Sequence, residues 1–330
     1  MAEWSFATGN ALTRKAWAKK WWMEAKVESY FYANGFVGTS PTNIIVEFPD
    51  LEKDQGDVIT IGELMQLDEG GGVANDSTME GFEVAPDTYD DAITLTQIRN
   101  AIRTGGRESD MRPSDNAIRG YAKDLLQVWM AAKIDQDIFT ALSASCTKGI
   151  YGGDATATTN IEAGDYMTLS LISKCVAYAR KAKPLIIGPN VKGKPMNGVI
   201  VISPDQAFDL SERDAAWAQA QREAQKRGDD NPIFTGALGI HKNVPIHEHQ
   251  RVATADTYGS GANLHGAEAL FLGMKAGAIA YSKKKIWEEK TFDYQNKAGF
   301  CIGSIYGMTK SVFNSADLAV IGVFTYRTDN

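Results

Sequence analysis

A chain of 330 residues is longer than one hydrophobic core usually supports, so two or more structural units are expected. With 44% hydrophobic and 23% charged residues it has the composition of a folded globular protein, and its net charge of −7 argues against a dedicated nucleic-acid binder, whose phosphate contacts need a basic surface. Cys146, Cys175 and Cys301 form no C-x-x-C pair, and they read as free, mostly buried thiols of a reducing compartment. No apolar stretch resembles a secretory signal, and none reaches the roughly 18 residues of a membrane span.

The first predicted element is a helix over residues 12–32. Trp17, Trp21 and Ala25 are spaced four apart, Trp22 widens their face, and Lys15, Lys19 and Lys26 point elsewhere. Such a face packs against protein, either its own body or a neighbouring subunit, or it lies on a membrane surface. Next come two β-rich runs, DVITIGELM and DAITLTQIRNAI, which predict the strands of a long hairpin. Between them lies a glycine-rich stretch containing Gly70, Gly71 and Gly72. From Asp57 to Asp91 there are ten Asp or Glu and no Lys or Arg. Two readings stay open: a solvated loop, or an acidic arm that reaches a basic partner.

Start signals at Pro113, Ser114 and Asp115 open a helix predicted to run to Ser143, about 46 Å at 1.5 Å per residue. Ile118, Ala122, Leu125, Trp129 and Ala132 form its predicted stripe, continued by Ile134, Ile138 and Leu142. A second helix is expected over residues 165–182, with Tyr166, Leu169, Ile172 and Val176 inward and Pro184 as its stop. An α/β section follows: a buried strand GVIVIS, a short helix PDQAFDL and a polar helix AAWAQAQREAQKRG ended by Gly228. The last fifty or so residues alternate strand-like runs with turns.

Chemistry is sought first in the stretch NPIFTGALGIHKNVPIHEH, which holds His241, His247 and His249, three of the four histidines. In a strand His247 and His249 share a face and could ligate one metal, with Glu248 on the opposite face. His241 would need a bend to join them, and the H-E-x-x-H spacing is absent. Gly236 and Gly239 are expected to shape a turn before VPIHEH enters a strand. No phosphate-loop pattern, no G-x-S-x-G elbow and no cysteine nucleophile context occurs. The residues therefore offer no catalytic constellation, and neither a cofactor nor a metal is assigned.

Several segments, collinear over nearly the whole chain, resemble one family. They are RKAWAKKWWMEAKVESYF, GDVITIGEL, RGYAKDLLQVWMAAKIDQDIFTAL, ISPDQAFDL, NPIFTGALGIHKNVPIHEH and FDYQNKAGFCIGSIYGMTKSVFN. The family is that of the major capsid proteins of tailed bacteriophages, in a podovirus-associated branch of the Hong Kong 97-like fold. The resemblance implies an α+β fold: an N-terminal arm (1–56), an extended β-hairpin or E-loop (57–110), a peripheral domain with a long spine helix (111–183), an axial α/β domain (184–280), and return strands of the peripheral domain (281–330). It implies a non-enzymatic structural subunit that self-assembles into hexamers and pentamers of an icosahedral head enclosing double-stranded DNA, held by confinement. The head belongs to the virion and is assembled in the cytoplasm of a bacterial host. A portal protein, a decoration protein and, because the chain starts at a methionine, a separate scaffolding protein are the expected partners; no membrane is. Trp17, Trp21, Trp22, Gly70, Gly71, Gly72, Arg103, Arg107 and Arg112 are the expected intersubunit contacts. The lysine-free hairpin predicts no covalent crosslink through a hairpin lysine. Two alternatives are carried: an encapsulin-like compartment shell, and a metal-dependent enzyme centred on His241, His247 and His249.

Overall fold

The computed structural model of the protein describes residues 29–48, 58–64, 67, 72–110, 118–191, 193–224 and 238–328. The predicted N-terminal helix with Trp17, Trp21 and Trp22, together with Gly70, Gly71, Arg112, Gly228 and Gly236, lies outside the described residues.

Chain order begins α1 (Tyr30–Ala33), β1 (Val37–Gly38), β2 (Ile45–Phe48), β3 (Val58–Leu64), β4 (Thr88–Thr94) and β5 (Thr96–Arg103). It continues α2 (Arg107–Asp110), α3 (Ile118–Ser143), β6 (Gly149–Tyr151), α4 (Leu169–Lys181), β7 (Asn190–Val191), β8 (Lys194–Pro195), β9 (Val199–Ile202), α5 (Pro204–Arg213) and α6 (Ala215–Ala224). Strands then dominate: β10 (Gly239–His241), β11 (Val244–Glu248), β12 (Thr254–Tyr258), β13 (Leu264–Leu272), β14 (Gly277–Phe292) and β15 (Lys297–Lys310). The last are β16 (Val312–Phe313), β17 (Ala316–Asp317) and β18 (Val320–Tyr326). These elements divide into two compact units. Residues 99–110, 118–132 and 285–303 make the smaller, and 29–98, 133–284 and 304–328 the larger.

The larger unit is built on a mixed sheet in the order β10-β11-β9-β13-β18-β6, with β12 on β13. Its centre is apolar on both faces: all four residues of β9 are buried, as are Ala269, Leu270, Phe271 and Leu272 of β13. Both faces are covered, so the strands read as continuous apolar runs with no alternation. The helix predicted over 165–182 forms as α4, starting later, at Leu169, because the backbone is still extended at Thr168. Its Leu169, Leu171, Ile172, Cys175, Val176 and Ala179 are buried, and burial pushes the Cys175 thiol up to about 12. α5 starts in a capping box: the Ser203 hydroxyl accepts from Gln206 N, while the Gln206 side chain accepts from Ser203 N.

Among the described residues the long helix runs from Ile118 to Ser143, 26 residues or about 39 Å, and its expected start at Pro113, Ser114 and Asp115 lies outside them. Its buried stripe is Ala122, Leu126 and Met130, then Ile138, Phe139 and Leu142; Leu125, expected inside, is 49% exposed. Leu125 and Leu126, like Trp129 and Met130, are adjacent apolar pairs, so periodicity alone leaves two stripes about 100° apart to choose from. In the larger unit a buried ion pair secures the end of α3. Lys310 Nζ lies 2.8 Å from Asp317 Oδ1, with the two side chains 9% and 1% exposed. Lys310 Nζ also donates to the carbonyls of Ala144 and Ser145 just beyond the helix, and Asp317 Oδ2 accepts from Thr147 N.

The predicted hairpin is present. β3 pairs antiparallel with β4 from Val58↔Thr94 to Leu64↔Thr88. The second predicted strand is broken at Leu95, which separates β4 from β5. At its base Ile93 is fully buried with Ala278 and Ala280, and Phe48, Ile59, Ile61 and Leu95 pack beside them. Gly307 permits this approach, since a Cβ there would stand 2.3 Å from the Thr94 carbonyl oxygen.

Candidate functional site

The histidine stretch was the first candidate. β10 and β11 pair antiparallel around Lys242 and Asn243, whose φ angles are +49° and +61°. That is the two-residue hairpin turn that asparagine tolerates, and it places the reversal here and not at Gly239 as expected. Gly239 serves packing instead: a Cβ would meet the Trp217 ring at 2.6 Å. His247 and His249 do approach common partners, as their two-residue spacing predicts, but those partners are aromatic. Tyr30 lies 5.9 Å from the His247 ring and 4.7 Å from the His249 ring, Phe36 lies 5.3 Å from His247, and Phe139 stacks on His249 at 4.7 Å. Glu248, as expected, is exposed on the other side.

The His249 Nδ1 accepts the Arg251 backbone N–H at 3.1 Å, so that nitrogen carries a lone pair already in use. Desolvation, with Arg251 adding to it, lowers the pKa of His249, and desolvation likewise lowers that of His241. His241 pairs with the Ser173 hydroxyl at 2.9 Å. No group of three or more His, Cys, Asp or Glu among the described residues is arranged to hold a metal ion. His247 and His249 are packing partners of an aromatic wall. Beneath that wall is Asp135, fully buried, which helical periodicity alone does not single out. Its carboxylate accepts from the Ser29 hydroxyl at 2.7 Å and from the backbone N–H of Tyr30 at 2.7 Å, which ties α1 to α3 within the larger unit.

The acidic hairpin is the opposite case. Beyond its base its residues are exposed: Leu64, Leu67, Met79, Phe82 and Val84 are each about half exposed or more. Asp76, Glu80, Asp87 and Asp90 make no ion pair with any described residue. Gly72, at φ +113°, gives the hairpin a left-handed backbone position that only glycine adopts freely. An exposed apolar and acidic surface whose acids have no ion-pair partner among the described residues fits an interaction surface.

Of the expected basic contacts, Arg103 and Arg107 both lie in the smaller unit. The Arg103 guanidinium covers the Phe292 ring at 4.5 Å, and Arg107 donates its backbone N–H to the Asn296 carbonyl at 3.1 Å. A cleft of about 410 Å³ in the same unit is lined by Arg119, Gly120, Lys123, Lys285 and Trp287. Glu289 holds two of these in place, accepting from Arg119 Nε at 2.9 Å and from Trp287 Nε1 at 2.8 Å. The Arg119 contact, with the indole bond beside it, keeps the Glu289 carboxyl below the usual range. The basic cleft was not anticipated, because its cations come from segments more than 160 positions apart.

Comparison with known proteins gives one consistent answer. The profile of the phage capsid protein family matches residues 5–149 and 138–326. The major capsid protein of Pseudomonas phage KPP25 is 26% identical, with 94% of this chain and 94% of that one covered. The capsid of Ralstonia phage GP4 is 28% identical with a TM-score of 0.85, over 99% of both chains. The cyanophage Pam1 capsid, 21% identical, reaches the same TM-score of 0.85 over 100% of both chains. Neither the compartment alternative nor the metal-enzyme alternative gains support from these likenesses.

Proposed function

Because the chain belongs to the phage capsid protein family, and is a major capsid protein of an icosahedral phage head, we propose that its acidic hairpin joins neighbouring copies into hexamers and pentamers. The observation that carries this reading is the hairpin itself. Ten acids and no base lie between Asp57 and Asp91, and Leu67, Met79 and Phe82 stand among them half exposed or more among the described residues. Solvating such apolar groups is unfavourable by about 25 cal/mol per Å², so a neighbouring copy that covers them gains stability. Arg103, Arg107 and Arg112 of that neighbour are the proposed charge partners, and the tryptophan face of Trp17, Trp21 and Trp22 a further contact.

In this reading residues 1–56 are the N-terminal arm, 57–110 the E-loop, 111–183 with 281–330 the peripheral domain, and 184–280 the axial domain. The subunit does no catalysis. Packaged double-stranded DNA is confined by a weakly acidic shell, in keeping with the charge of −7. A separate scaffolding protein, a portal and a decoration protein complete the head, which assembles in the bacterial cytoplasm. The test is electron microscopy of the expressed full chain together with the nucleic-acid content of the particles from infected cells. Shells that hold double-stranded DNA are expected. A soluble monomer at every concentration would contradict the reading, and shells filled only with protein would replace it with a compartment.

A further inference from the structure

In the smaller unit the turn between β14 and β15 presents a side chain left fully exposed by the described residues. Asp293, Tyr294 and Gln295 all adopt left-handed backbone conformations, at φ +52°, +49° and +67°, and none is glycine. Three such residues in a row persist only where the surroundings impose them. Here Asn296 donates its backbone N–H to the Asp293 carbonyl at 2.8 Å, and Arg107 N in turn donates to the Asn296 carbonyl at 3.1 Å. Thr104 N donates to the Ala298 carbonyl, and Ala298 N to the Thr104 hydroxyl. Phe292 is fixed at the neck of the turn, under Arg103 and against Gly299, where a Cβ would come within 2.7 Å of its ring. All this bracing presents Tyr294 at 103% exposure. A fully solvated aromatic on a braced turn is the kind of residue that anchors interfaces, because its backbone is already ordered and only two side-chain torsions remain to be fixed.

The same unit offers a matching recess, the cleft of Arg119, Gly120, Lys123, Lys285 and Trp287. Its back wall is Trp287, stacked on Phe300 at 6.3 Å between centroids. At Gly120 a side chain would meet nothing within 4 Å, so the helix surface is open there. Lys123 and Lys285 make no ion pair with any described residue. At about 410 Å³ the cleft has room for one aromatic side chain. Its cations favour the face of an aromatic ring, and Asp293 next to Tyr294 carries the complementary charge.

We propose that the Tyr294 turn of one copy seats in the Arg119–Lys123–Lys285–Trp287 cleft of a second copy, with the tyrosine ring against Trp287 and Asp293 towards the two lysines. The inference rests on the capsid reading and names a contact distinct from the hairpin. In the proposed contact the turn of each copy meets the cleft of the next, a heterologous arrangement that, closed into a ring, repeats as a shell requires.

The experiment compares particles of the parental full chain with those of Tyr294→Ala and Tyr294→Phe, and with a chain carrying both Tyr294→Cys and Lys123→Cys. Tyr294→Ala should raise the concentration at which shells form by about tenfold or more, with unchanged thermal melting. Tyr294→Phe, which keeps the ring, should assemble like the parent. The double cysteine chain should give an intersubunit disulfide ladder on a non-reducing gel that neither single cysteine gives. Assembly of Tyr294→Ala at the parental concentration, or no ladder beyond the single variants, overturns the inference. So does a cleft that binds single-stranded oligonucleotide through Trp287 while Tyr294→Ala assembles normally. If the parental chain forms no shells, the reading that this chain by itself joins into hexamers and pentamers fails and the contact falls with it.

Discussion

Around His249 and along the β3–β4 hairpin the chain sets apolar and ionisable side chains together, and the two regions treat them differently. In the first, Tyr30, Phe36, Phe139, His247 and His249 enclose one another, and the carboxylate beneath them accepts from Ser29 and Tyr30. In the second, Leu64, Met79 and Phe82 face solvent and the acids have no basic partner among the described residues. A subunit of a shell needs both kinds of region. One holds the fold and must be satisfied within the chain, while the other, on the proposed reading, finds its partners in other copies.

The difference can be sharpened by substitution. The largest effect on folding is expected at the buried ion pair: Asp317→Ala strands the Lys310 ammonium and should cost about 3–5 kcal/mol in urea unfolding. Asp135→Ala leaves the Ser29 hydroxyl and the Tyr30 N–H without their acceptor and should cost about 2–3 kcal/mol by the same measurement. A smaller effect comes from the histidines. Their pKa values in the fold lie below the ordinary 6.5, so the unfolded chain binds protons more readily. Their contribution to stability is therefore complete above pH 6.5 and is lost as the pH falls through the lowered values. His249→Gln should flatten the decline in stability between neutral and acidic pH, measured as the urea midpoint at each pH.

The smallest folding effects belong to the hairpin, where exposed substitutions should stay within about 0.5 kcal/mol. The absence of lysine from Asp57 to Asp91 also predicts a single band near 35.9 kDa when mature particles are run on a denaturing gel; a covalent ladder would show a crosslink through some other residue.

Much of this was legible in the sequence. Alternating β-rich runs predicted the hairpin strands, and the continuous apolar run of GVIVIS predicted the buried strand β9. The long helix was legible too, but not which of Leu125 and Leu126 faces inward, because adjacent leucines satisfy a 3.6 period equally well. Histidine spacing correctly placed His247 and His249 on one side. What it could not supply was their neighbours: Tyr30, Phe36 and Phe139 come from distant segments, and these neighbours make the cluster a packed wall. Periodicity and spacing single out neither Asp135 nor Tyr294. Both acquire meaning only from contacts across more than 100 positions, or from a backbone conformation that single residue types do not announce.

The most direct test reverses the hairpin's charge at Asp76→Lys, Glu80→Lys, Glu83→Lys and Asp87→Lys together and follows the full chain by sedimentation. The account predicts a subunit with the parental urea midpoint that no longer forms shells. Shells at parental yield would contradict it, because the hairpin's acids would then have no partner in another copy.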